Sequence, residues 1–351
     1  MFSKLLIGLA ILIAILLIVG IIGGYLVSAP RYSGPVTDHF DGKTFRNLNG
    51  QEAKGFREAI AWTISRKQMP WEDYRNGQPA TPPPARVTGK DVRVTFVNHS
   101  TVLMQFDGLN VLTDPVWYTR TSPFQWVGPK RHTAPGVSLN DLPKIDIILL
   151  SHNHWDHLDI GTFKTLCQRD QPKVYCTLGV KTFLEEQGCQ NISEMDWNQS
   201  IAYNSSTKVH CVPAQHFSGR GLFDRNATLW AGFVIQSAVA GNVYFAGDSG
   251  YGAFFKQIGQ QFGPLRLALI PIGAYKPEWF MSPIHCSPAE AVQIHQDVRS
   301  EHSIGIHFGT FALADDGENE PVNELNEALR QKGLSLENFR TLKEGGSTLI
   351  P

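Results

Sequence analysis

From Leu5 to Val27 the chain is apolar without one charged side chain, reading LLIGLAILIAILLIVGIIGGYLV. Roughly 20 helical residues cross the hydrocarbon core of a bilayer, so this run is long enough to span it. A cleaved signal peptide competes, but its apolar region is normally only about 7–15 residues. The small-residue site Val27-Ser28-Ala29 is followed by Pro30, which makes it a poor place to cut. Residues 1–29 therefore read as a single-pass anchor in a cell membrane. Lys4 lies on the short side, and Arg31, Lys43 and Arg46 on the long side, so flanking charge leaves the orientation open. Gly20 and Gly24 make a GxxxG match that reads as incidental in so Ile/Leu-rich a helix.

Residues 31–74 show no period, and a proline-rich stretch ending Pro-Ala-Thr-Pro-Pro-Pro follows. Prolines favour an extended spacer on the domain surface. Residues 30–90 are thus expected to be a linker and extension packing on the domain. From residue 91 to 351 short apolar runs alternate with helical patterns. Val92–Val97 and Val111–Thr113 flank Asp107-Gly108, a hairpin dipeptide. Ile145–Leu150, Val174–Cys176, Lys208–Val212, Trp230–Ile235, Val243–Ala246 and Leu267–Ile270 read as buried strands. Ile160–Arg169, Val180–Gln187, Gly252–Ile258, Pro288–Ser300 and Pro321–Lys332 read as helices between them. Strands mixed with helices in this way predict an α/β layered sandwich.

Composition adds little to that frame. A net charge of -1 over 351 residues provides no global field for nucleic acid. Five cysteines (Cys167, Cys176, Cys189, Cys211 and Cys286) are an odd number without CxxC spacing. That argues against a disulfide framework and against a thiolate metal site, leaving them as small core residues.

Candidate chemistry is concentrated in Ser151-His152-Asn153-His154-Trp155-Asp156-His157, directly after the Ile145–Leu150 strand. Imidazoles and a carboxylate so close together form a donor set suited to zinc, although iron or manganese would also accept it. One loop cannot close two metal sites. His216, Asp248 and His307 each follow a strand-like run and supply what the loop lacks.

HxHxDH, then a lone His, then Gly-Asp, then a last His is the motif order of the metallo-β-lactamase superfamily. Within it the chain resembles the N-acylphosphatidylethanolamine-hydrolysing phospholipase D family. The resemblance is carried by Leu112-Thr113-Asp114-Pro115, Gly128-Pro129-Lys130-Arg131 and Ser151–Asp159. It continues through Phe245-Ala246-Gly247-Asp248, Ile270–Tyr275, Trp279-Phe280-Met281 and Ile306–Ala314, so it covers Val92 to the C-terminus. The N-terminal anchor departs from the pattern of the mammalian enzyme. The resemblance implies an αββα sandwich preceded here by the transmembrane helix. It also implies two zinc ions: His152, His154 and His216 on one, Asp156, His157 and His307 on the other, and Asp248 bridging. Hydroxide shared by the metals would then attack a phospholipid phosphodiester, with Asp248 and His285 as the catalytic side chains and His285 serving the leaving oxygen.

The partners expected are a phospholipid substrate and the membrane, without nucleic acid, and with a homodimer as an open alternative to a monomer. A lactonase or β-lactamase on the same fold would use the same ligands, and a non-catalytic membrane-bound regulator is the remaining alternative. His99 is expected to order a loop, and Asp114 to make a turn or support a metal-binding residue. His39, His132, His210, His295 and His302 read as surface or packing residues. Phe217, Phe223, Trp117 and Trp126 line either a lipid cleft or ordinary packing.

Overall fold

The computed structural model describes residues 2–77 and 81–350, so part of the proline-rich stretch, residues 78–80, lies outside the described residues. The apolar run forms α1 (Phe2–Leu26), and none of the described residues of its Leu6–Leu26 segment is buried. Its length and composition qualify it to cross a membrane, a test that a signal sequence also passes.

Two seven-stranded sheets follow. The first takes β1 (Val92–Asn98), β2 (Thr101–Phe106), β3 (Leu109–Thr113), β4 (Ile147–Leu150), β5 (Lys173–Thr177) and β6 (Ile192–Met195) in chain order. The second takes β7 (Ser200–Ala202), β8 (Thr207–Val212), β9 (Gly232–Ser237), β10 (Gly241–Phe245), β11 (Leu265–Pro271), β12 (Ser300–Ile306) and β13 (Phe339–Arg340). The last strand, β14 (Ser347–Ile350), returns to pair with β1. Side chains alternate along each strand, so the two faces bury different residues. Met104, Ile147 and Leu149 meet Phe233, Phe245 and Leu269 between the sheets. Leu103, Ile148 and Leu150 point outwards to Phe163 and Leu166 of α3 (Ile160–Asp170) and Leu184 of α4 (Lys181–Glu186). On the second sheet, Val234, Tyr244 and Ile270 pack on α5 (Phe254–Phe262), α7 (Pro288–Asp297) and α8 (Glu320–Gln331). Burial on both faces explains why the central strands read as continuous apolar runs. The layers are α, β, β, α, as expected.

The predicted hairpin is displaced by one strand. Asp107 and Gly108, both with positive φ, join β2 to β3, and β2 lies between the two runs the sequence paired. Two helices were also not foreseen: α2 (Phe56–Ser65) in the extension and the short α6 (Glu278–Met281), which pack on each other through Trp62 and Phe280 at 5.0 Å.

The cysteine reading needs correction. Cys167 of α3 and Cys189, beyond α4, form a disulfide with their Cα atoms 5.1 Å apart. Both elements lie on the outer face of the first sheet, which brings together two residues 22 apart in sequence. Cys176, Cys211 and Cys286 are free and buried, as core residues should be. Peptide mapping of the unreduced full chain should return one crosslinked Cys167–Cys189 peptide and three thiols that alkylate only after unfolding. Reduction should cost about 3 kcal/mol of stability. Five alkylated thiols without reductant would contradict the assignment.

Candidate metal centre

Strands β1, β3, β4, β8, β10 and β12 end at one edge of the sandwich, and the residues following them converge there. His152, His154, Asp156 and His157 come from the loop after β4, His216 from after β8, Asp248 from after β10 and His307 from after β12. His99 follows β1 and Asp114 follows β3. The crowding requires unusual backbone: His99, Asp114 and His307 adopt φ of 46°, 30° and 60°. Left-handed conformations cost free energy in non-glycine residues, and they concentrate where surrounding structure enforces them. Gly247, with φ of 64°, precedes Asp248, and a Cβ there would meet the Ser151 side chain at 2.7 Å. Only glycine lets the two loops approach so closely.

Ligand atoms of His152, His154 and His216 lie within 4.8 Å of one another, as do those of His99, Asp156, His157 and His307. Asp248 stands between the groups, its Oδ2 being 3.1 Å from His157 Nε2, 3.0 Å from His307 Nε2 and 3.7 Å from His216 Nε2. All seven sequence candidates are therefore brought together. His285 joins them, with its Nδ1 3.9 Å from Asp248 Oδ2 and its ring 5.0 Å from that of His216. It is nine-tenths buried, so a surface role for it is removed.

Hydrogen bonds on the outside of the cluster decide which ring nitrogens carry protons. His216 Nδ1–H donates to the Ile284 carbonyl at 2.8 Å, leaving Nε2 a lone pair directed inwards. His157 Nδ1–H donates to Asp114 Oδ2 at 2.5 Å. The Ser151 hydroxyl donates to the same oxygen at 2.6 Å, so its own lone pair accepts His152 Nδ1–H at 2.9 Å. One buried carboxylate thus sets the tautomer of a histidine in each group. Inward lone pairs backed by outward N–H donors are what an imidazole needs to bind a cation.

Electrostatics point the same way. Burial depresses the pKa of His152 and His216 well below the ordinary value, so both are neutral. Burial opposes charge on His157 and His307 too, yet Asp248 and Asp156 outweigh it, holding His157 well above its usual range and His307 at about 9. A positive charge is favoured between those two carboxylates, and a divalent cation would supply it while releasing protons. His157 Nε2 and His307 Nε2 meet Asp248 Oδ2 as ion-pair contacts outside hydrogen-bond geometry, and they and Asp248 Oδ1 are buried without a hydrogen bond among the described residues. Buried polar atoms are rarely left so. The donor set therefore fits divalent metal, of the kind imidazole and carboxylate prefer.

Two residues, His99 and Asn47, take a larger part in the centre than their sequence suggests. His99 is inside the second group, its Nε2–H donating to Asp156 Oδ2 at 3.0 Å. Of the two readings of Asp114, support of a candidate metal-binding residue is the one its contacts with Ser151 and His157 favour. Asn47 was not noticed at all: its Nδ2 donates to the His216 carbonyl at 2.9 Å, while its Oδ1 accepts His216 N–H at 3.1 Å and Trp230 Nε1–H at 2.9 Å. The aromatic candidates divide. Phe217 packs on the His154 ring at 4.3 Å, beside Trp62 and Phe280, and so lies at the centre. Trp117 instead packs with the outer layer of the first sheet and donates to the Val137 carbonyl, which takes it out of any cleft. Phe223 and Trp126 are exposed away from it, at 43% and 77%. The Gly128–Arg131 motif is structural: Arg131 donates to the Tyr118 carbonyl and stacks over Phe311 of the Ile306–Ala314 motif.

An αββα sandwich with two His/Asp clusters sharing a carboxylate at one sheet edge defines a metal-dependent hydrolase. The β-lactamase superfamily domain matches residues 109–308, a span that contains all seven candidate ligands, and the chain belongs to that superfamily. Its relatives include the N-acyl-phosphatidylethanolamine-hydrolyzing phospholipase D 1 of Caenorhabditis elegans, 41% identical over 62% of this chain and 64% of the nematode protein. The chain thus spans just under two thirds of that protein's length. An uncharacterised protein of Mycobacterium tuberculosis is 42% identical over 76% of this chain and 75% of its own. Among solved structures, a metallo hydrolase from Ignicoccus hospitalis superposes with a TM-score of 0.57 at 21% identity, covering 74% of this chain and 99% of that one. That likeness concerns the fold.

Proposed function

We propose that this chain is a membrane-anchored, zinc-dependent phosphodiesterase of phospholipase D type, acting on N-acylphosphatidylethanolamine-like lipids. The observation that carries the reading is the 41% identity to the nematode phospholipase. His152, His154 and His216 would hold one ion, Asp156, His157 and His307 the second, with Asp248 between them. When bound, such ions would lower the pKa of water towards neutrality and offset the negative charge that grows on phosphoryl oxygens.

This chain's own residues do the rest. Asp114 keeps His157 and His152 in the tautomers that present inward lone pairs. His99 holds Asp156 by its Nε2–H on Oδ2, the oxygen that lies 3.4 Å from both His157 Nε2 and His307 Nε2. Asn47 and the Ile284 carbonyl fix His216 from the backbone and the ring. His285, 3.9 Å from Asp248 Oδ2, offers an imidazole N–H to a phosphoryl or leaving oxygen. Phe217, Trp62 and Phe280 provide apolar surface beside the centre on which an acyl chain can lie.

A membrane location is supported by α1, whose exposed apolar surface suits a bilayer. The Cys167–Cys189 disulfide supports placing the hydrolase domain on the oxidising side of that membrane. Attachment there keeps the enzyme beside a substrate that does not enter water.

Purified, zinc-loaded full-length protein, given N-acylphosphatidylethanolamine in mixed micelles, should release phosphatidic acid and N-acylethanolamine detectable by mass spectrometry. A zinc-replete protein that yields neither would sink the substrate assignment and redirect the search to another phosphodiester or to a lactone.

A further inference from the structure

Where α1 meets the hydrolase domain there is a cavity of about 900 Å³, walled by Tyr25, Leu26, Trp155, Phe183, Arg220 and Phe223. None of the seven candidate metal ligands lines it. It is built by the loop that follows His216, which grips the base of the anchor. Asp224 accepts the Ala29 N–H at 2.8 Å, Leu222 N–H reaches the Gly24 carbonyl, and Arg31 donates to the Phe223 carbonyl.

Arg220 is the unexplained group in this wall. It is 6% exposed, and its guanidinium lies 3.5 Å from the centre of the Trp155 ring and 5.2 Å from that of Phe183. Nη1 donates to the carbonyls of Asn153 and Leu158, at 2.8 and 2.9 Å. Nε and Nη2 have no hydrogen-bond partner among the described residues. Three carboxylates, Asp224, Asp159 and Asp156, act on the charge, but all are engaged elsewhere, Asp156 by His99. Asp224 accepts backbone N–H groups of Ala29, Arg220 and Gly221, and Asp159 accepts those of Trp117 and Tyr118 together with the Thr162 hydroxyl. Burial lowers the guanidinium's pKa only to about 9, so it stays charged at neutral pH. A buried cation with three of its five N–H donors unmatched calls for an anion.

The surroundings narrow what that anion is. Phe183, Phe223, Tyr25 and Leu26 make the walls apolar, and the cavity opens beside the end of a helix whose described apolar side chains are largely exposed. Arg31 stands at the rim with Glu186, so the lining carries two cations against one carboxylate. A volume near 900 Å³ is of the size that holds a small ligand, and suits a head group and the first part of its chains.

We propose that this cavity binds the head group of an acidic phospholipid, its phosphate facing Arg220 and Arg31 and its acyl chains following α1 into the bilayer. The site is separate from the hydrolytic centre and coupled to it. Trp155 lies between His154 and Asp156 and donates its Nε1–H to the Arg220 carbonyl at 2.9 Å, and Gly219 N–H donates to Asn153 Oδ1 at 2.9 Å. A lipid seated here stiffens the loop carrying the metal-binding residues. The inference rests on α1 lying in a bilayer and not on the identity of the substrate.

The test uses the full chain carrying Asp248→Asn, so that turnover does not consume the probe, in detergent micelles observed by native mass spectrometry. Dioleoylphosphatidylglycerol, dioleoylphosphatidylcholine and inorganic phosphate are titrated separately. Phosphatidylglycerol should bind at one per chain, at least about tenfold tighter than phosphatidylcholine, the difference expected for a charge-assisted pair. Arg31→Glu at the exposed rim and Phe183→Glu in the wall should each abolish that preference. Equal binding of the two lipids overturns the site, as does displacement of phosphatidylglycerol by equimolar inorganic phosphate. Retention of the preference in Arg31→Glu, the variant that disturbs no core contact, overturns it as well.

Discussion

Replacing Asp248 with Asn should lower turnover by on the order of 10³-fold or more while leaving the fold intact. Its Oδ2 is close to both clusters, 3.1 Å from His157 Nε2, 3.0 Å from His307 Nε2 and 3.7 Å from His216 Nε2. An amide in that position presents either an N–H pair or a neutral oxygen. Neither bridges two cations as a carboxylate does, so charge stabilisation worth several kcal/mol is lost, and each 1.36 kcal/mol is tenfold in rate. The volume is unchanged, so the strand-end packing around Gly247 survives. Circular dichroism and steady-state rates on the same preparation separate the two effects. Near-normal turnover in a folded Asp248→Asn protein would remove this residue from the centre of the chemistry.

Asp114→Asn, at a residue that touches no substrate, should be nearly as damaging. Asp114 accepts Ser151 N–H and Oγ–H at 2.8 and 2.6 Å and His157 Nδ1–H at 2.5 Å, all with the side chain fully buried. An amide has one acceptor and one donor, so in either orientation a donor faces a donor. If the amide nitrogen faces His157, that ring must move its proton to Nε2 and lose the lone pair directed at the cluster. If it faces Ser151, the strand-end loop bearing His152 loses its tie. Substitutions of residues that orient ligands typically cost 10–100-fold in metal affinity. An orphaned buried donor adds about 1–3 kcal/mol of instability. Metal titration should show weaker affinity, and excess zinc should recover part of the activity, a rescue that Asp248→Asn should not show.

Most of this site was legible because of how parallel strands work. Each candidate ligand follows an apolar run, and strands that run the same way deliver their ends to one edge. His152, His216, Asp248 and His307 could thus be grouped before any coordinate was known. Residues that support rather than ligate were harder. Asn47 sits in an extension without periodicity, and only the tertiary approach of that segment to β8 and β9 gives it a role. His99 and Asp114 follow strands too, but each alone looks like a turn residue. Short polar strands were invisible for a related reason: β7 is Ser-Ile-Ala with little burial, so no pattern of period two can form. Helix α2 buries no residue fully and lacked a sequence signature. The disulfide escaped because an odd cysteine count is compatible with one bridge, and pairing depends on which helices share a sheet face.

Metal content bears most directly on the central claim, that two cation sites share Asp248. Full-length protein is stripped with chelator, dialysed against zinc, and measured by inductively coupled plasma mass spectrometry against protein concentration. Two zinc ions per chain are predicted, falling to about one in His216→Ala with the second cluster still filled. A single ion in the unmodified protein, or two ions undiminished in His216→Ala, would contradict the account.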